Sequence, residues 1–414
     1  MQVNDVIELD IEKLDHQGRG ISKNNGYVFF IPNALPDEKV FVKINKIKKN
    51  IVDATVERFI TISKDRINSI CPYFEKCGGC DLLHLSYYNQ IIFKENKVKE
   101  IMDKFCKYKF NINSIIKCND ELFYRNKVTF QVDNAIGFYE KGTNKIVDIN
   151  NCKIVNKSVN DLLNILNDKD LIIDVNKIIV RNNINNQLLL IVDTTNKFNK
   201  NEFIELVSKY VDSIVINNEV IKGNGKIIET LNNYKFVISP NSFFQVNTKQ
   251  TINLYNKIRE YANLNKNEIL LDLYCGTGTI GIYLSSDCKK VIGIEINKSA
   301  VKDANENKLI NNITNIDFIC GDALKEIKKL NINPDVIVVD PPRAGLDKKD
   351  IDNIFKLNAN RIVYVSCDPV TLARDLNILG EKYSIKELTP VDMFPNTSHV
   401  ETVSVLELKE KRMN

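Results

Sequence analysis

From about residue 240 the chain alternates short apolar runs with amphipathic ones, and this alternation restricts the possible folds more than any other feature. The runs EILLDLYCGTGTIGIYL, KKVIGIEI, NIDFICGDALKEI, PDVIVVDPPRAGLD and RIVYVSCDP each hold an apolar core of strand length, and helical patterns such as AVKDANENKLINN fall between them. Apolar strands separated by helices imply a parallel, doubly wound α/β sheet, with ligands gathered at the carboxyl ends of the strands. Gly276, Gly278 and Gly281 form a G-x-G-x-x-G turn after the first strand, and Glu295 ends the next one, where a ribose diol would be held. The glycines suit an NAD-dependent oxidoreductase and an S-adenosylmethionine enzyme equally.

The later strands separate those two classes. Asp322 follows the third strand and can hold an adenine amino group. Asp340 follows the fourth, where Pro341 and Pro342 stiffen the loop and remove amide donors, leaving the carboxylate at the cleft edge. After the fifth strand, Arg361 to Ser366, comes Cys367, and Asp368-Pro369 suits a helix start. A thiol at the positive end of a helix is more readily ionised, and the thiolate is the nucleophile. The plainer alternative is a buried structural cysteine. A hydride-transfer enzyme has no evident use for a rigid Asp-Pro-Pro loop followed by a strand-end cysteine.

The first 58 residues read differently. VIELDIEKL, YVFFIP, KVFVKINKI and DATVERFI are short alternating runs punctuated by Gly18, Gly20, Gly26 and Pro36-Asp37, the pattern of a small OB-like β-barrel. Between Lys39 and Asn50 lie five lysines and no acid, interleaved with Phe41, Ile44 and Ile47. Such a face suits a phosphate backbone, or else a lysine-protected edge strand. The formal net charge of +4 permits an RNA partner without requiring one. No apolar run reaches membrane-spanning length, and the acidic, alternating start is unlike an export signal, so a cytoplasmic protein is expected, with no membrane and no obligate protein partner.

Ten cysteines without an export signal favour metal or catalytic use over disulfides. CPYFEKCGGC places Cys71, Cys77 and Cys80 in a C-x5-C-x2-C pattern, and Cys152 is the best distant fourth ligand. Four thiolates can hold an iron–sulfur cluster or zinc, and the spacing leaves both open. Cys106, Cys118, Cys288 and Cys320 have no such neighbours and read as core. Between these landmarks, Tyr88, Ile91, Ile92, Val98, Ile101, Met102 and Phe105 mark one face of a helix from Ser86 to Phe105. An α+β domain is expected from about 120 to 238. In it, Arg125 and Lys127 beside Phe123 and Tyr124 suit either RNA contact or cross-strand pairing.

Taken together, FFQVN (Phe243 to Asn247), LDLYCGTGTIG, DPPRAGLD, SCDPVTLARDL and SHVETV (Ser398 to Val403) resemble the RNA uracil-5 methyltransferases, the TrmA/RlmD family. HQGRGIS followed by VFFIPNALPDEKV resembles a TRAM domain, an RNA-binding barrel. The order of parts matches the ribosomal RNA branch, and the resemblance covers nearly the whole chain. It implies a TRAM domain at 1–58 and a central α+β domain at 59–239 carrying the four-cysteine site, with helix 86–105 packing on the catalytic domain. A Rossmann-like class I S-adenosylmethionine methyltransferase domain is implied at 240–414. The resemblance makes Cys71, Cys77, Cys80 and Cys152 ligands of a [4Fe-4S] cluster, with zinc the alternative. It makes Cys367 the nucleophile and Glu401 the proton acceptor, with Cys275 and Asp340 next in line for those roles. The cofactor pocket it implies comprises Gln245, Tyr274, Thr279, Glu295, Asp322 and Asp340, although the family often has asparagine where this chain has Thr279. His399 is read as a structural turn residue. The implied activity is methylation of uridine C5 in 23S rRNA, with tRNA as the alternative substrate and a non-catalytic RNA-binding role as a third reading.

Overall fold

The computed structural model describes residues 1–195, 198–329 and 333–410; residues 411–414, at the end of the expected third unit, lie outside them. The alternating runs near the start form one six-stranded sheet, in the order Val6–Asp10, Lys39–Lys48, Ile51–Thr61, Tyr27–Ile31, Gly20–Asn24, Lys13–Leu14. Period-two patterning decides which side is wet. Val40, Val42 and Ile44 join Leu9, Phe29, Ile31 and Val52 in the core, while Lys43, Lys46 and Lys48 of the same strand face outward. The buried carboxylate of Glu38 accepts from the Leu35 amide at 2.7 Å and from Arg66 Nη2 at 2.8 Å, which fastens this module to the segment that follows.

A second, seven-stranded sheet runs Ile146–Asp148, Ile136–Tyr139, Lys127–Val132, Val175–Asn182, Leu188–Thr194, Ser213–Ile216, Glu219–Lys222. The helices Lys157–Leu166 and Lys200–Val207 contribute Leu162, Leu163, Phe203 and Val207 to its core. It does not stand apart from the rest. Leu189, Ile191 and Val215 pack with the hairpin Ile227–Leu231/Tyr234–Ile238, with Leu254 and Ile258 of the helix Thr248–Ala262, and with Val336, Val363 and Val403 of the third sheet.

The third sheet has eight strands, ordered Ile316–Cys320, Lys290–Glu295, Ile269–Leu273, Val336–Val339, Arg361–Ser366, Glu401–Leu408, Tyr383–Val391, Asn111–Ile112. The first five are parallel, as alternating strands and helices require. Glu401–Leu408 runs antiparallel to both of its neighbours. The parallel order reverses between Ile269–Leu273 and Val336–Val339, a switch point that opens a crevice beyond the strand ends.

The helix Tyr87–Phe105 and the strand Asn111–Ile112 precede the second sheet in sequence but belong to the third in space. The strand pairs with Glu387 and Leu388, and the helix lies on the helix Pro369–Leu379. The helix buries Gln90, Ile91, Lys94, Val98, Ile101 and Met102, whereas Tyr88, Ile92 and Phe105, expected on its apolar face, are exposed. The face is turned because it includes Lys94, whose fully buried ammonium meets Asp392 Oδ1 at 2.5 Å and the Phe394 carbonyl at 2.9 Å. Tyr87 donates its hydroxyl to the other oxygen of Asp392 at 2.9 Å. Removing either member of such a pair leaves a buried charge uncompensated, at a cost of about 3–5 kcal/mol.

Candidate active site

Five strand ends and one strand beginning meet at the crevice. The Ile269–Leu273 strand delivers the glycine turn, Lys290–Glu295 delivers Glu295, and Ile316–Cys320 leads to Asp322. Val336–Val339 leads to Asp340 and Arg361–Ser366 to Cys367. Glu401–Leu408 runs the other way, so its first residue lies where its neighbours end. Ser366 pairs with Thr402 across the antiparallel ladder, and one further step in that register sets Cys367 opposite Glu401. Thr402 Oγ1 donates to the Ser366 carbonyl at 3.0 Å, and Asp368 caps the following helix by accepting from the Val370 amide at 2.9 Å. The Cys367 turn is thereby held from both sides.

The charges here are coupled. Burial, then the carboxylate of Asp340, pushes Glu401 up to about 8, and Glu401 is only 6% exposed. Burial pushes Asp340 up to about 7. Burial, then Glu401 and Asp340, raises the Cys367 thiol to about 11, while Arg343 pulls the other way. Lost hydration and the two acids thus act against the ionisation that the helix N-terminus favours. Positive charge brought to these strand ends would lower all three values together.

Several of the expected cofactor residues lie on or beside the glycine turn. Tyr274, Gly276 and Gly278 all take positive φ, at 61°, 54° and 77°. A tyrosine in that region is uncommon, and its hydroxyl donates to Asp350. Glu295 accepts from the Gly276 amide at 3.1 Å and from the Asn297 amide at 2.7 Å, which ties the turn to the second strand. Asp322 caps the next helix by accepting from the Lys325 amide at 3.2 Å. Thr279 shares a 2.7 Å hydrogen bond with the Tyr255 hydroxyl. Gln245 is buried on the segment before the helix Thr248–Ala262, and its carbonyl accepts from Asn126 Nδ2 at 3.1 Å. Beside it the Phe243 ring is 67% exposed. Cys275 is buried against Gly293, with its thiol pushed far up by burial and by Asp272 and Glu295, which is a poor setting for a nucleophile.

Cys71, Cys77, Cys80 and Cys152 line one cavity of roughly 370 Å³ together with Arg125 and Lys127. The loop that bears the first three is bound to the strand Ile136–Tyr139 through the Gly78 amide and the Tyr139 carbonyl, 2.9 Å apart. Cys152 is fixed by a 2.8 Å bond from its amide to Asn160 Oδ1. Among the described residues no three His, Cys, Asp or Glu side chains are grouped so as to hold a metal ion. The thiols surround the cavity without closing on a point. Cys106, Cys118 and Cys288 are buried as expected, but Cys320 is exposed because it ends an outer strand at the crevice. Lys94, Lys97 and Asp81, which hold the chain leading to Glu401, were not singled out in the sequence. The i, i+3 spacing of Ile91 and Lys94 was the available signal.

Residues 191–409 match the tRNA (Uracil-5-)-methyltransferase family, and residues 1–56 match the TRAM domain. A Staphylococcus aureus protein described as an uncharacterized RNA methyltransferase is 36% identical over 98% of this chain and 99% of its own length. One from Halalkalibacterium halodurans, described in the same words, is 37% identical over 98% of both. Among solved structures, the Pyrococcus abyssi tRNA (uracil-54, C5)-methyltransferase in complex with S-adenosyl-L-homocysteine superposes with a TM-score of 0.79 at 28% identity. That match covers 96% of this chain and 99% of the other.

The coupling of Cys367 to Glu401 has a measurable consequence. Glu401→Gln removes the nearest charge that raises the thiol, so alkylation of Cys367 by iodoacetamide at pH 9 should become severalfold faster, as followed by peptide mass spectrometry. An unchanged rate would show that the two groups do not interact.

Proposed function

The chain belongs to the tRNA (uracil-5-)-methyltransferase family, and on that premise we propose that it methylates uridine C5 in RNA through a covalent adduct on Cys367. Family membership sets aside the NAD-dependent oxidoreductase that the glycine turn also allowed. The observation that carries this reading is the proximity of the two groups: Cys367 follows the Ser366–Thr402 pair, Glu401 precedes it, and the Glu401 charge is felt by the Cys367 thiol. Uracil C5 is a poor nucleophile. When the Cys367 sulfur bonds to C6, the C5–C6 π electrons move toward the C4 carbonyl and C5 becomes an enolate carbon able to take a methyl group. Glu401 then accepts the C5 proton, the double bond re-forms, and the S–C6 bond breaks to return the thiolate. Glu401 must be ionised to act, so release of a preformed methylated adduct should speed up as pH rises through about 8. The target base has to leave its stack to reach Cys367.

S-adenosylmethionine is the proposed donor, and when bound it supplies an electrophilic methyl group on a sulfonium. The residues present fit it: at Gly276 no atom lies within 4 Å of where a side chain would begin, so the turn is open on that side. Gln245, Tyr274, Thr279, Glu295, Asp322 and Asp340 would hold the donor, the carboxylates facing its cationic and hydroxyl groups. The TRAM domain would supply the electrostatic hold on RNA, with Lys43, Lys46 and Lys48 outward and Arg58 lying 4.6 Å over the Phe41 ring.

With labelled RNA and methyl donor, Cys367→Ala should give no covalent protein–RNA species, whereas Glu401→Gln should accumulate one that carries the methyl group. An adduct with Cys367→Ala would place the nucleophile elsewhere, and full turnover by Glu401→Gln would remove Glu401 from the base role. For the substrate we favour 23S rRNA, on the order of parts in the chain; tRNA is the second reading, favoured by the structural relative's activity on uracil-54 of tRNA. Cells lacking the protein should lose 5-methyluridine from 23S rRNA, and its loss from tRNA alone would decide for the second reading.

For the cysteine set we propose a [4Fe-4S] cluster with a structural role. The C-x5-C-x2-C spacing departs from the paired C-x2-C of zinc sites, and the family resemblance points to a cluster. Arg125 and Lys127 stand in the otherwise largely apolar lining of the cavity, which suits an anionic cluster. The Gly79 amide already donates to Cys77 Sγ at 3.4 Å, the kind of outer bond that steadies a ligating thiolate. Protein prepared without oxygen should be brown and contain iron and sulfide. Colourless protein with stoichiometric zinc would sink the assignment.

A further inference from the structure

The chain entering Glu401 is held almost entirely by residues far from it in sequence. Asp392 and the Phe394 carbonyl are bound by Lys94. Asn396 exchanges hydrogen bonds with Gln90, its amide donating at 2.8 Å and its side-chain oxygen accepting at 3.1 Å. The Asn396 carbonyl accepts from the amides of Asp81 and Leu82, both at 3.1 Å. The tightest hold is on Ser398, three residues before Glu401. Its amide and its hydroxyl both donate to Asp81 Oδ2 at 3.0 Å, and its carbonyl accepts from Lys97 Nζ at 2.8 Å. Ser398 is 7% exposed, so these bonds are shielded from water.

From Thr402 to Glu407 the strand is paired on both sides, so its backbone has little freedom, whereas Glu401 is paired only with Val391. Glu401 is the first residue of that ladder, however, and the direction in which the chain arrives there depends on Ser398. We propose that Asp81 and Lys97 are positioning residues for the proton-removal step: by gripping Ser398 from opposite sides they set how the Glu401 carboxylate faces the adduct on Cys367. The inference rests on the reading of Glu401 as the base. Asp81 directly follows Cys80, so ordering of the cysteine loop and aiming of the base are continuous along the chain. Lys97 comes from the helix Tyr87–Phe105, which packs on the third sheet's side of the molecule.

A positioning role separates two steps that a merely structural role would impair together. In Asp81→Ala and Lys97→Met, methyl transfer into the adduct should proceed while release slows by about 10- to 100-fold, the usual penalty for a carboxylate displaced by up to an ångström. A methylated covalent protein–RNA species should therefore build up on denaturing gels, as expected for Glu401→Gln. Asp81→Asn keeps an acceptor for Ser398 and should restore most of the release rate. If Asp81→Ala does not fold, Ser398→Ala, which removes one of the two bonds that Asp81 receives, should slow release in the same direction. Adduct in Glu401→Gln but in none of the Asp81, Lys97 and Ser398 variants overturns this inference alone. No adduct in Glu401→Gln overturns the reading of the base itself. Equal loss of methyl transfer and release in folded variants also overturns the positioning role.

Discussion

The proposed chemistry depends on one reversal of strand direction. Five parallel strands can present side chains at their carboxyl ends only, and each such end is followed by a turn that a helix must then occupy. Glu401–Leu408, inserted antiparallel beside Arg361–Ser366, brings a strand beginning to the same edge. A carboxylate can then face Cys367 from within the ladder rather than from a flexible loop. The register makes the pair, and a slip of one residue would turn Glu401 to the opposite face of the sheet.

Burial does the rest. Cys367, Glu401 and Asp340 are acids crowded into a partly dehydrated crevice: burial raises all three, Asp340 raises Glu401 further, and both carboxylates raise Cys367. In this state protons are retained on groups that must lose them to react. A cationic ligand at the strand ends would favour the ionised form of all three. Thr402, Ser366 and Asp368 fix the thiol's position meanwhile, and reactivity can be gained without moving the backbone.

The parallel sheet was legible because β-branched runs buried on both faces have few other uses. Asp340 and Cys367 could be placed at its edge because a strand-to-turn boundary is a local pattern. Glu401 was visible only through family resemblance, since TVSVLEL reads the same whether its strand runs parallel or antiparallel. The second sheet's helices and strands were readable one by one, but their shared core with the third sheet rests on Leu189, Ile191 and Val215, ordinary apolar residues whose partners lie far along the chain. The helix Tyr87–Phe105 misled in a specific way. Hydrophobic periodicity counted Tyr88, Ile92 and Phe105 as inward, but the buried face is centred on a lysine, and a charge in a core becomes legible only once its counter-ion is known. The same limit applies to Cys367, whose ionisation depends on carboxylates delivered by two other strands.

That buried lysine also bears on how the three units can act as one enzyme. A TRAM barrel that grips RNA is useful only if its position relative to Cys367 is fixed to within the reach of one nucleotide. Glu38 and Arg66 tie the barrel to the segment after it, and Asn33 accepts from Lys141 at 2.8 Å, which binds the barrel to the hairpin beside the cysteine loop. From that loop Asp81 and Leu82 reach the chain that enters Glu401, and five residues further on the helix bearing Lys94 and Lys97 begins. Each link is a charged or multiply hydrogen-bonded contact with limited geometric tolerance. Segment 66–97 thus links the barrel to the chain that enters Glu401.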